Sequence, residues 1–348
     1  MAMDSVVETL DVKRRSVSDL VKAMGRTAYQ GRTLGRAVDI IESMIRDESV
    51  TIMFGYAGSL STAGQWRTIK WFIEQGYIDV LVSTGANISE DIVEAMGFNY
   101  YHLDDRIGST DTGLFEDGYN RYYDVAGKEG DYFEMTSLIS DFMMGLEAGR
   151  NHSSREVLES FGNWLADKGI DCIVSSAAKH AVPVFCPAIV DSPYGDAALI
   201  AHSKGHGVSI DNVKDYVEFM KLAEEVEDTG AIYIGGGVPK DFIQLFAATS
   251  DLLYEDLKVP GRAEGLKRKG TDESYYPHKY AVQITMDSPQ WGGLSGATLE
   301  EAISWGKESA ETRMGVCYCD ATIALPLIAH SLYERLEGYE RKRRALYR

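Results

Sequence analysis

One lysine offers covalent chemistry. The run Glu300-Glu301-Ala302-Ile303-Ser304-Trp305-Gly306-Lys307 ends in an amine two residues after an indole. As the cation in the last turn of an amphipathic helix, Lys307 is favoured by the helix dipole. Desolvated beside Trp305, it is instead a neutral amine able to act as a nucleophile. Spacing by itself favours the first reading. Three acids come next. Ser89-Glu90-Asp91 reads as a helix start, with Ser89 capping and the acids in the first turn; at the carboxyl end of a strand, Glu90 would face a ligand crevice. Asp191 and Asp196 lie in the loop Asp191-Ser192-Pro193-Tyr194-Gly195-Asp196. Asp-Ser-Pro is turn chemistry, and two acids in such a loop can also grip a ribose or an ammonium.

Other reactive constellations are missing. Cys317 and Cys319 alternate on a predicted strand and share one face, and no CxxC pair exists, so no metal site is expected. His202 and His206 flank Ser203-Lys204-Gly205, which reads as a loop and not a HExxH helix. The chain has no GxSxG elbow and no Walker lysine motif.

The elements that must position these groups recur in one pattern: a short apolar run, a turn of small residues, then helical spacing. Residues 50–54 run into Gly55-Tyr56-Ala57-Gly58-Ser59, and 79–82 into Ser83-Thr84-Gly85-Ala86-Asn87. Residues 172–174 run into Ser175-Ser176-Ala177, and 231–234 into Gly235-Gly236-Gly237. Further strands are predicted at 182–186, 280–285 and 316–319, and helices at 64–74, 89–96, 212–227, 298–305 and 321–336. Apolar strands alternating with helices predict an α/β fold with a mostly parallel sheet covered on both faces. Ligands of such sheets sit beyond the strands' carboxyl ends. Small residues there let backbone N–H groups approach a phosphate, and the next helix N-terminus adds positive potential. No single turn is a GxGxxG fingerprint; several together point to a nucleotide cofactor.

With 348 residues, 45% hydrophobic and 25% charged, collagen-like and disordered readings are excluded, and one large domain or two smaller ones fit. A formal charge of −18 repels nucleic-acid backbone, so no nucleic-acid partner is expected. Two short basic stretches, 258–269 and Arg341-Lys342-Arg343-Arg344, read as solvated surface. No apolar run is long enough for a membrane span, and no membrane partner is expected. The first residues lack the basic-then-apolar order of a secretory signal. Four cysteines make no disulfide framework, so a reducing cytoplasm is the expected location.

The segment Glu301-Ala302-Ile303-Ser304-Trp305-Gly306-Lys307 resembles the active-site lysine motif of the deoxyhypusine synthase family. Gly55-Tyr56-Ala57-Gly58-Ser59-Leu60-Ser61 resembles that family's first nucleotide loop. The run from Asp79 to Ala86, with Glu90-Asp91 following, resembles its second. Gly118-Tyr119-Asn120-Arg121, Pro183-Val184-Phe185-Cys186-Pro187-Ala188, Gly235-Gly236-Gly237-Val238 and Asp320-Ala321 follow in family order, so the likeness runs from about residue 16 to 336.

The resemblance implies a Rossmann-like, doubly wound, mostly parallel sheet of the deoxyhypusine synthase type. It implies one NAD-binding domain over 1–348, with an N-terminal extension at about 1–15 and an inserted segment at about 252–279. It implies a homotetramer with active sites at subunit interfaces. The activity implied is NAD-dependent transfer of an aminobutyl group from spermidine, or a related polyamine, through an imine on Lys307 to an amine acceptor. A protein lysine is one acceptor; a small diamine such as putrescine, as in homospermidine synthases, is the other. A non-catalytic NAD or polyamine binder is the reading from a different class, and a deacylase reading lacks its zinc cysteines.

Carried over by the resemblance, Lys307 is the covalent nucleophile. Gly58, Ser59, Leu60, Ser61 and Thr62 fall at NAD positions, as do Thr84, Gly85, Ala86 and Glu90. Asp191, Gly236, Asp320 and Ala321 do likewise, and Met286 and Asp287 fall at NAD positions with side chains unlike the family's. Asp196, Glu301 and Trp305 fall at polyamine positions, where carboxylates would offset the cost of burying an ammonium. Three positions depart. Asp241 replaces the family's polyamine-site histidine, Gly292-Gly293-Leu294 replaces Gly-Ser-Asp, and Trp291 stands where the family has another aspartate. An acid lost at 294 and gained at 241 implies that the cationic end is held elsewhere or that the amine differs; Asp241 joins the substrate-binding set. The 252–279 segment reads as an interface arm, an acceptor-specific lid or a tolerated surface insertion.

Overall fold

The computed structural model describes residues 6–103 and 110–347. They form two compact units. One comprises the described residues of Met1–Tyr56, Gln75–Val82 and Val217–Arg348; the other comprises those of Ala57–Glu74 and Ser83–Tyr216.

The first unit is built on strands β1 (Val50–Tyr56), β2 (Val80–Ser83), β3 (Asp228–Ile234), β4 (Tyr280–Thr285) and β5 (Arg313–Tyr318), in the spatial order β5-β4-β3-β1-β2. The β1–β3, β3–β4 and β4–β5 pairs are parallel. Strands β1 and β4 are buried at every position, as their nearly unbroken apolar runs require of a sheet covered on both sides. The covers can be placed from two glycines. A Cβ on Gly55 would meet Ile243 of the Gly237–Thr249 helix, and one on Gly230 would meet Met44 of the Tyr29–Arg46 helix. Gly55 pairs with Tyr233, three residues from Gly230, so by strand alternation the two helices lie on opposite faces. This is the doubly wound arrangement. The Tyr29–Arg46 helix buries Leu34, Val38, Ile41, Met44 and Ile45, a stripe at helical spacing.

The second unit is helical around an aromatic core in which Phe142, Phe161, Trp164 and Tyr194 meet. Its helices include Glu129–Met143, Ser154–Asp167, Ile173–Lys179 and Pro193–Ser203. Tyr101–His102, Val125–Lys128 and Tyr119–Tyr122 form a small antiparallel sheet.

Several expectations are corrected. Residues 172–174 are not a strand; Ile173–Lys179 is a helix whose first amide donates to buried Asp91 Oδ2 at 2.6 Å. Gly162 lets the preceding helix press onto it, since a Cβ there would stand 2.4 Å from the Val174 carbonyl oxygen. A three-residue apolar run carries no period, so sequence could not separate the two. Asp196 and His202 are helical, in Pro193–Ser203, because Pro193 starts a helix at its first position. Cys319 lies past the end of β5 and does not share a strand face with buried Cys317. Arg341 is no solvated cation: it is buried, and its fork binds both oxygens of Asp79 at 2.9 and 2.7 Å and the carbonyls of Gly76 and Val50. Among the described residues, no helix is long and apolar enough to cross a membrane, and no group of three His, Cys, Asp or Glu residues stands ready for a metal.

Candidate functional site

In the first unit the carboxyl ends of β3, β4 and β5 lie side by side, because parallel strands in register finish together. The turn after β3 holds Gly235 (φ +72°) and Gly237 (φ +60°), both in the left-handed region that favours glycine. Gly236 between them lies against the Ser295 backbone, where a Cβ would come 2.4 Å from its Cα. From this turn the Gly237–Thr249 helix starts and carries Asp241. Asp241 Oδ1 accepts a hydrogen bond from Lys307 Nζ at 2.7 Å.

Lys307 is not the last-turn cation that its spacing suggests. The helix is short, Leu299–Ile303, and the chain reverses through Gly306 (φ +74°) before the lysine. The Lys307 amide donates to Ala302 O, and its carbonyl accepts from the His278 amide. The side chain is 11% exposed, with Nζ 5.6 Å from the Trp305 ring centre. A cleft of about 520 Å³ is lined by Lys307, Asp241, Glu301, Trp305 and Leu294. It brings together four residues picked out from sequence and the leucine standing where the family has an acid.

Two charged neighbours escaped sequence reading. Lys240 is buried, with Nζ donating to Gln283 Oε1 at 3.0 Å and to the carbonyls of Leu294 and Ala297. Burial brings its pKa down to about 8. Glu308 is also buried, which pushes its carboxyl well above the usual range against the pull of Lys240 and Lys307. Neither belongs to a recognisable local pattern; for Lys240 the one available signal was a charge in a largely apolar helix, and Glu308, past the end of its helix, offered none. Beyond β4, Met286 is exposed and the Asp287 amide donates to Thr285 Oγ1. Beyond β5, Asp320 caps the Ala321–Arg335 helix by accepting from the Thr322 amide at 2.8 Å.

The second unit gathers the other predicted residues. Asn87 knits the two loops together: its side-chain oxygen accepts from the Leu60 amide at 2.8 Å, and its carbonyl accepts from Ser61 Oγ at 2.6 Å. Its Nδ2 donates to Thr84 Oγ1. Ser59 Oγ shares a hydrogen bond with Thr62 and donates to Glu90 Oε2 at 2.8 Å. Gly85 lies against Ser192, and Tyr194 OH donates to Ile88 O, which brings the Asp191–Asp196 segment onto the second loop. Ser89 does not cap as expected; its hydroxyl donates back to Gly85 O. Glu90 is buried and its carboxyl is pushed up to about 7. Sequence reasoning missed three tyrosines around it. The charge of Glu90 helps burial to raise the Tyr100, Tyr122 and Tyr132 hydroxyls, the last to about 12 with Asp196 contributing.

The family model for deoxyhypusine synthase matches residues 19–332. The chain belongs to the deoxyhypusine synthase family. Among curated relatives of that family, "Probable deoxyhypusine synthase 2" of Methanosarcina mazei is 41% identical over 95% of this chain and 91% of its own length. The protein of the same name in Archaeoglobus fulgidus is 42% identical over 89% of this chain and 95% of its own. A "Deoxyhypusine synthase-like protein" of Chlorobaculum tepidum is 34% identical over 94% and 89%. A crystal structure from Entamoeba histolytica, provisionally named a deoxyhypusine synthase, shares the fold at TM-score 0.60 and 16% identity, covering 93% of this chain and 94% of that one. The deoxyhypusine synthase fold is therefore the fold of this chain, and it is on this frame that Asp241 and Leu294 sit at the Lys307 cleft.

Proposed function

We propose that the chain is an NAD-dependent alkylamine transferase that moves an aminobutyl group from spermidine, or a related polyamine, through an imine on Lys307 to an amine acceptor. The observation that carries this is the placement of Lys307: nearly buried, in an acid-lined cleft, with its amine on a carboxylate. An exposed last-turn lysine would have neither.

The turns suit a dinucleotide. Gly58 has φ +91° with open space where a Cβ would point, and Gly237 after β3 is equally bare. Such turns allow backbone amides to approach phosphate. By the family resemblance, Gly58, Ser59, Leu60, Ser61 and Thr62, with Thr84, Gly85, Ala86, Glu90 and Asp191, would hold NAD. The resemblance gives the same role to Gly236, Met286, Asp287, Asp320 and Ala321. The chemistry NAD supplies when bound is oxidation of the carbon beside the donor's secondary amine and its reversal at the end, so net redox is zero.

The chain's own residues do the rest. Asp241 takes the proton from Lys307 Nζ, leaving a neutral amine to attack the oxidised carbon and form the Schiff base. The proton held on Asp241 is available to the departing diamine. Glu301 would hold an ammonium end, a role the family resemblance also gives Asp196, and the exposed face of Trp305 would wall the alkyl chain. The acceptor's primary amine then displaces Lys307, which recovers its proton. We place this chemistry in a homotetramer, as the family resemblance implies, with either a protein lysine or a small diamine as acceptor.

Borohydride reduction in the presence of NAD and labelled spermidine should leave a mass adduct on Lys307, and none in Lys307→Ala. Tight NAD binding with no adduct and no diaminopropane release would overturn the transferase reading in favour of a sensor. Products formed with putrescine and with a protein acceptor distinguish the two acceptors.

A further inference from the structure

The 252–279 segment grips the turn that carries Lys307. The Tyr275 ring lies on Gly306, where a Cβ would stand 2.1 Å from ring carbon Cδ1. Arg268 Nη2 donates to Ser304 O at 2.8 Å, and the His278 amide donates to Lys307 O at 3.2 Å. Three positions of the turn, 304, 306 and 307, are thus held by one segment. The same segment is tied to the helix bearing Asp241. The Tyr276 amide donates to Ala247 O, while the Ser274 amide and Tyr276 OH both bind buried Asp251. Tyr275 itself is 7% exposed, with Arg268 over its ring at 5.1 Å and its hydroxyl donating to Glu273.

A left-handed glycine confers freedom as well as fit. Without a ring against it, the turn at Gly306 could open and swing the lysine away from Asp241. We propose that Tyr275 is a positioning residue: its ring locks the Gly306 turn and so holds the Lys307 amine on Asp241. The inserted segment is then neither a free lid nor a tolerated surface loop, but the outer half of the clamp around the nucleophile. The proposal rests on Lys307 being the reacting amine for its kinetic consequence, though not for its geometry.

The test compares Tyr275→Ala with Tyr275→Phe in the full chain. An amine-reactive acylating probe, followed by mass spectrometry, reports on Lys307 without any turnover. Swung out of the cleft and off its carboxylate, Lys307 of Tyr275→Ala is open to the probe and should label about fivefold faster at pH 8. Tyr275→Phe, which keeps the ring, should label as wild type does. With NAD and spermidine, the borohydride-trapped adduct should form about 100-fold more slowly in Tyr275→Ala, the scale of effect of a misplacement of about 1 Å, with NAD affinity unchanged. Wild-type labelling in Tyr275→Ala, or a Phe variant as perturbed as the Ala variant, would overturn the proposal. Failure of wild type to form any adduct would instead count against the transferase reading, and the labelling comparison would still decide the role of Tyr275.

Discussion

Glu90→Gln should stabilise the protein at alkaline pH and do little in mild acid. Glu90 is 4% exposed, accepts one side-chain hydrogen bond from Ser59, and lies among tyrosines whose hydroxyls it holds protonated. Burial raises its carboxyl from 4.5 to about 7. Between those values the folded chain binds the proton that the unfolded chain has lost, so the free energy of unfolding falls as pH rises through that window and levels off above it. Each tenfold in proton affinity is about 1.4 kcal/mol, so the ionised carboxylate costs the fold about 3 kcal/mol above pH 7. Glutamine keeps the shape and an oxygen for Ser59 but carries no charge. It also relieves Asp91, which is fully buried, raised to about 7 and repelled by Glu90. Urea unfolding of wild type and variant at pH 5 and pH 8.5 should therefore show a gain of about 2–3 kcal/mol at the higher pH and under about 1 kcal/mol at the lower. Equal gains at both, or a loss at pH 8.5, would mean that the ionised Glu90 carboxylate does not strain the fold. If Glu90 grips the cofactor, the stabilised variant should bind NAD more weakly, a trade of stability for function.

Two further outcomes are open to measurement. Arg341→Ala should lower the unfolding free energy by about 3–5 kcal/mol, because it strands Asp79 as a buried unpaired charge; urea denaturation with Asp79→Ala and the double variant would separate pair energy from lost packing. Leu294→Asp returns a carboxylate to the Lys307 cleft and should tighten spermidine binding by about tenfold, read by calorimetry; unchanged affinity would mean that the donor's cationic end is not bound near this position.

Some of this was legible because it is local. The runs at 50–54, 231–234 and 280–285 could be read as strands because parallel strands covered on both faces are apolar at nearly every position. The run at 172–174 was too short to carry a period, and its helix depends on Asp91, 82 residues away. Ser89 looked like a cap by type, yet its hydroxyl found a nearer carbonyl at Gly85.

The α/β alternation, the glycine turns at Gly58 and Gly235–Gly237, and the Trp-Gly-Lys run at 305–307 can be read from the chain without its fold, since backbone freedom and face periodicity are written in neighbouring residues. That Lys307 leaves its helix and meets Asp241, 66 residues distant, that tyrosines surround Glu90, and that Arg341 is buried on Asp79 come from folding in three dimensions alone. The reason is physical: an ion pair or a packed ring stabilises contact in space, and nothing about either partner's neighbours in the chain need betray the other.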